Sequence, residues 1–247
     1  MKIKIILTLY DEAMRYKKEY LIDFINGRMR KRDLYIYSVI IGGSWYLGLL
    51  IAWIFFPGFY SIFNNTISDL GNPNLNPFPG FQIFTITCLI TGIGGIPVSL
   101  YLYRHIIRYS RRLAKIAFSL NLTSLISLIM IGIFPNTGNV YYIHSIVAFI
   151  NFLSSFSYIL VYWLGLIFYT RRIPKVERFI SNTIIILMIS ILTVNIFLLF
   201  YSTISKIIQI GIISTIILRF SFLEWLFLFT GGFQLALIVI LVPNVLK

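Results

Sequence analysis

Thiols, imidazoles and carboxylates are scarce in this sequence: one Cys, two His and eight Asp or Glu among 247 residues. A single Cys excludes a disulfide framework, and so few His and Cys exclude a zinc site built from three His or from Cys pairs. Charge of any sign is thin, with 12% of residues charged against 58% hydrophobic. That ratio excludes a water-soluble globular enzyme. Alanine is rare too, six against 47 Ile; bilayer helices tolerate β-branched side chains, and no function follows from the bias. No soluble domain, linker or low-complexity tract interrupts the chain.

What is present is a series of long apolar runs. Six can cross a hydrocarbon core, which needs about 20 helical residues: 34–56, 81–103, 113–134, 142–169, 179–201 and 221–242. Pro57, Pro135 and Pro174 fall just beyond three of these ends, where a residue that cannot continue a helix belongs. The fold class expected is all-α: a polytopic membrane protein of six transmembrane helices. A 14-residue apolar stretch, 205–218, is too short for a further crossing and reads as a re-entrant or interfacial helix on the outer side, before the sixth span.

The 21 Lys and Arg are segregated. Nine lie in residues 1–33, five in the loop 104–115, four in 171–178 and one at Lys247, whereas the alternate loops hold only Lys206 and Arg219. Nineteen against two is the asymmetry of the positive-inside rule and predicts a cell-membrane protein with both termini cytoplasmic. Because the cations sit in short loops between spans, the net charge of +13 sets orientation and does not indicate nucleic acid. The expected partners are membrane lipids.

The chain divides into a basic N-terminal extension, 1–33, and a transmembrane domain, 34–247. The extension is not a signal peptide, since Asp11 and Glu12 cut its apolar stretch short. Tyr10, Ala13, Met14, Leu21, Phe24 and Ile25 share one helical face, which fits an amphipathic helix on anionic headgroups; a solvated extension, or translation starting at Met29, fits equally.

Polar groups inside a membrane must pair or face a wet cavity. In the fourth span His144, Ala148, Asn151, Ser155, Tyr158 and Tyr162 form one stripe that should face the bundle interior. The second span presents Thr85, Cys88, Gly92, Gly95 and Ser99, a small-residue face suited to close packing, with Pro97 able to kink it. Asp69 lies in an outer loop rich in Asn and Ser, where it either caps a turn or folds over the bundle as an acid, base or ligand. Glu224, the only acidic residue within a predicted span, must pair with a cation such as Arg219, bind a polar ligand or stay protonated.

Topology brings Asp69, His144, Arg219 and Glu224 to the outer side. Two carboxyls and a His there suit a metal or acid/base chemistry, while Ser68, His144 and an acid suit a nucleophilic triad. The candidate catalytic residues are Asp69, His144 and Glu224, and the candidate ligand-binding residues add Ser68, Asn151 and Arg219. Sequence assigns no cofactor, metal or oligomeric state. The leading expectation is a lipid or other amphiphile bound in an outer-side polar pocket, and the rival is a membrane-embedded lipid-modifying hydrolase or transferase using that pocket. Asn64-Asn65-Thr66 is also a glycosylation sequon on the same side.

Asn65 to Asn72, reading N-T-I-S-D-L-G-N, with Gly92, Phe134-Pro135, His144 and Glu224, resembles the domain of unknown function 998 family from about Tyr35 onward. The resemblance implies a six-span prokaryotic, often archaeal, membrane protein with no assigned activity, and it carries no reaction.

Overall fold

The computed structural model describes residues 18–170, 186–191, 193–194, 197 and 220–245. Regular structure among them is entirely helical. The five principal helices are α1 (Lys31–Ile54), α2 (Gly80–Ile106), α3 (Arg111–Ile133), α4 (Tyr141–Thr170) and α5 (Phe220–Val245). All five are long and apolar enough to cross a membrane. Even the shortest, α3 with 23 residues, reaches about 35 Å at 1.5 Å per residue, beyond a hydrocarbon core of about 30 Å.

Each helix coincides with an expected span and extends one to three residues past it at most ends, because helical hydrogen bonding continues into the interface where hydropathy has already fallen. Residues 186–191, 193–194 and 197, within the expected fifth span, are helical. The rest of that span, the expected outer helix at 205–218, Arg219 and residues 1–17 lie outside the described residues.

The chain runs up and down through α1, α2, α3 and α4, with the closest packing between consecutive helices. Helix α5 lies against α1, α2 and α4. At one end, Lys31 opens α1, Ile106 closes α2 and Arg111 opens α3, so their flanking cations gather there. We call this the basic end. The opposite, asparagine-rich end carries the α1–α2 and α3–α4 loops. Helices α4 and α5 run in the same direction: Glu224 and Trp225 of α5 bond to the α1–α2 loop, and Asn244 of the same helix bonds to Tyr35 at the start of α1.

Small residues set the helix spacing. A Cβ added to Gly92 would stand 2.4 Å from Ile129 Cγ1 and 2.9 Å from the Leu125 carbonyl oxygen, so α2 and α3 pack backbone to side chain along the predicted small face. The polar stripe of α4 turns inward as expected. Asn151 Nδ2 donates to the Ser124 carbonyl at 2.7 Å, the Ser124 and Ser155 hydroxyls bond at 2.6 Å, and Tyr158 and Tyr162 are buried. Two apolar cores result. One, toward the basic end, is built around Leu34, Leu102, Trp163 and Val242; the other, beneath the asparagine-rich end, around Leu49, Leu70, Phe84 and Trp225.

Ahead of α1, residues 18–25 form a helical segment that packs on the bundle. Phe24 meets Tyr37 edge to face at 4.7 Å, Met29 is buried, and Arg104 Nε donates to the Asn26 carbonyl at 2.8 Å. Gly27 takes a φ of +67° with its backbone flush against Leu100 and Tyr101, a position no side chain would fit.

Candidate functional site

The α1–α2 loop does not project from the bundle; it folds back over it. Thr66 is extended and starts a 3-10 turn, Ile67–Gly71. Asp69 Oδ2 accepts the Thr66 N–H at 2.8 Å, while the Asp69 N–H donates to the Thr66 carbonyl at 3.1 Å. Three residues of spacing place the carboxyl over the first free N–H of the turn, the usual work of an acidic residue at a helix start. Asp69 thus takes the capping place anticipated for it as a turn residue.

Helix α5 holds the turn from below. Glu224, just past the first turn of α5, is buried, and its Oε2 accepts the Ile67 N–H at 3.1 Å. Beside it Trp225 Nε1 donates to the Asn65 carbonyl at 3.3 Å, and Ser221 Oγ donates to the Asn64 carbonyl at 3.3 Å. Tyr60 closes the same corner by donating its hydroxyl to the Thr66 carbonyl at 2.8 Å. Burial, with Glu224 and Asp69 nearby, pushes the Tyr60 hydroxyl well above the ordinary phenol range, so it stays neutral and a donor.

Helix α4 holds the turn from the other side. His144, also buried, lies with Nε2 2.9 Å from Ser68 Oγ and Nδ1 2.6 Å from the Phe134 carbonyl oxygen. A carbonyl only accepts, so Nδ1 carries the proton, and the Nε2 lone pair faces the Ser68 hydroxyl, which donates to it. The Phe134 carbonyl is available because α3 stops there: Pro135 has no N–H to continue the ladder, and the last carbonyls of a helix lack partners within it. Chemically, this is a hydroxyl hydrogen-bonded to a neutral imidazole whose tautomer and orientation are fixed from behind, the geometry that activates a serine nucleophile.

The structure therefore brings Ser68, Asp69, His144 and Glu224 to one turn, each with a different bond. Asp69 bonds within its own turn and the Phe134 carbonyl, not an acid, orients His144. Asn151 lies two turns deeper along α4, about 10 Å away, and bonds α3 to α4. Arg219 is outside the described residues. Among the described residues, no group of three His, Cys, Asp or Glu is arranged to hold a metal ion.

Three contributors carry no signal as site residues in the sequence. Asn76 is fully buried and donates through Nδ2 to the carbonyls of Leu70 at 2.8 Å and Ala52 at 3.1 Å, tying the loop to the end of α1. Asn72 reaches the α3–α4 loop, donating to the Asn136 carbonyl at 2.7 Å. Tyr60 is the third. The only trace of the Phe134 contact is the helix-ending Pro135 nine residues before His144.

No curated protein and no solved structure matches this chain. A family model does match, over residues 39–223. The matched stretch takes in the 3-10 turn, Phe134 and His144 and stops one residue short of Glu224. With three quarters of its length so matched, the chain belongs to the family described as protein of unknown function DUF998.

Proposed function

We propose that this chain is a six-span protein of the cell membrane, with both termini cytoplasmic, that binds a lipid or other amphiphile at its asparagine-rich outer end and transfers or hydrolyses an acyl group there. The sixth crossing is supported by the parallel run of α4 and α5, which puts the end of one and the start of the other at opposite faces. The orientation is supported by the cations collected at the basic end.

The observation that carries the chemistry is the Ser68–His144 pair with the Phe134 carbonyl behind it. In this reading Ser68 Oγ attacks an ester carbonyl as its proton passes to His144 Nε2, and the Phe134 carbonyl stabilises the imidazolium through Nδ1–H. The imidazolium then protonates the departing alcohol oxygen, leaving an acyl-Ser68. Water, or a second alcohol, gives its proton to Nε2 and attacks the acyl carbonyl, and His144 returns that proton to Ser68 Oγ as the acyl–oxygen bond breaks, releasing the acid or the new ester. Ser68 is half-buried while His144 is enclosed, so the serine is the more accessible member of the pair. Lipid esters lie at the depth of the interface, where this turn sits, which is why an amphiphile is the substrate class.

Fluorophosphonate labelling of the purified protein tests this. Wild type should be labelled at Ser68, with Ser68→Ala and His144→Gln unlabelled but equally monodisperse. Absence of label on folded wild type, with a lipid still co-purifying and lost in the Ser68→Ala variant, would favour amphiphile binding without chemistry.

A further inference from the structure

At the basic end, the segment before α1 packs on the last turns of α2, next to the α2–α3 connection and the start of α3. Phe24 packs on Tyr37, six residues inside α1, and Gly27 lies on Leu100 and Tyr101, five to six residues inside α2. Helix 18–25 is thereby seated about 8–9 Å in from the ends of both helices. For helices that overhang a hydrocarbon core of about 30 Å, that distance corresponds to the headgroup and acyl boundary. Its inward side is occupied by Phe24, yet Leu21, Ile22 and Ile25 are 57%, 47% and 52% exposed. Just beyond stand Arg108, Arg111, Arg112 and Lys115, all exposed and without an ion pair to any described residue. The acids nearby are engaged: Asp33 takes Tyr20 and Arg30, and Asp23 takes Arg28.

We propose that residues 18–32, the α2–α3 connection and the start of α3 form a binding surface for anionic lipid headgroups, with Leu21, Ile22 and Ile25 inserted among the acyl chains and Arg108, Arg111 and Arg112 on the phosphates. The occupant is the membrane's own anionic lipid. Apolar residues at interfacial depth beside unpaired cations are the complement of an acidic leaflet, and Arg104, by bonding Asn26, holds the two halves of the surface in register.

The test is competition in mixed micelles. Full-length protein is equilibrated with equal amounts of phosphatidylglycerol and phosphatidylcholine, and the retained lipids are quantified by mass spectrometry. Wild type should retain phosphatidylglycerol in excess, and salt should erase the excess. Each cation near an acidic surface contributes roughly a fivefold change in binding, so Arg108→Gln/Arg111→Gln/Arg112→Gln should lower the preference by about a hundredfold. If the triple variant does not fold, a fluorophore on Ile22→Cys in otherwise intact protein gives the second measurement. Cys88 is fully buried and stays unlabelled. Emission should shift blue in phosphatidylglycerol-containing nanodiscs relative to pure phosphatidylcholine. Equal retention of both lipids by wild type, a triple variant with undiminished preference, or identical Ile22→Cys emission in the two nanodiscs would overturn the proposal.

Discussion

Glu224 Oε2 accepts the backbone N–H of Ile67 at 3.1 Å, a buried bond joining residues 157 apart in sequence. The N–H has lost its water, so the acceptor matters more than the charge on it. Glu224→Gln keeps a carbonyl oxygen in place and should change stability by no more than about 1 kcal/mol, whereas Glu224→Leu leaves the donor buried and unmatched at a cost of about 1–3 kcal/mol. Thermal melting in detergent checks both, and equal melting of the two variants would show that the bond contributes nothing.

Asn76 offers a sharper contrast. Its amide donates to two carbonyls, those of Ala52 and Leu70, from a fully buried position. Asn76→Asp is nearly isosteric but replaces the donor with an acceptor facing both, and should destabilise by roughly 2–4 kcal/mol. The same exchange at exposed Asn139 should leave the melting temperature unchanged.

The glycines of α1 and α2 should divide by what surrounds them. Gly92→Ala meets the Leu125 carbonyl and Ile129 and should cost about 1–3 kcal/mol, because backbone cannot step aside. Gly43 has open space around it, so Gly43→Ala should be neutral or stabilise by up to about 1 kcal/mol. Chemical or thermal unfolding in one detergent ranks them directly.

Orientation is open to labelling from outside the cell. Asn139→Cys at the asparagine-rich end should react with a membrane-impermeant maleimide in intact cells, and Arg108→Cys should react only after permeabilisation. Reaction at Arg108→Cys alone would invert the proposed topology.

Hydropathy made the five described spans legible because each apolar run exceeds the length a bilayer demands, and proline punctuated their ends. The inward stripe of α4 was legible for a related reason, since a 3.6-residue period of polar groups has no comfortable lipid-facing solution. The pairing was legible only as one alternative, Ser68 and His144 with an acid, beside a metal site or acid/base carboxyls. Ser68 and His144 both stand out as residue types, but 76 residues separate them and only the folded loop brings them together. Asn76 reads as one more loop asparagine in N-P-N-L-N-P, because nothing local records that it will be buried. The role of Phe134 resides in a backbone carbonyl, which any side chain at that position would have supplied.

Ile67 and Ser68 are neighbours in the chain, so their Cα atoms are about 3.8 Å apart. One is fastened to α5 through Glu224 and the other to α4 through His144, which is itself fastened to the end of α3. Between those helices at this end there is only the slack of a single peptide unit. Sliding of α4 along α5 by as much as one helical turn, about 5.4 Å, would have to break one of the two bonds first. The turn is thus a linkage, and a displacement of α4 against α5 at this end is felt at the Ser68 hydroxyl.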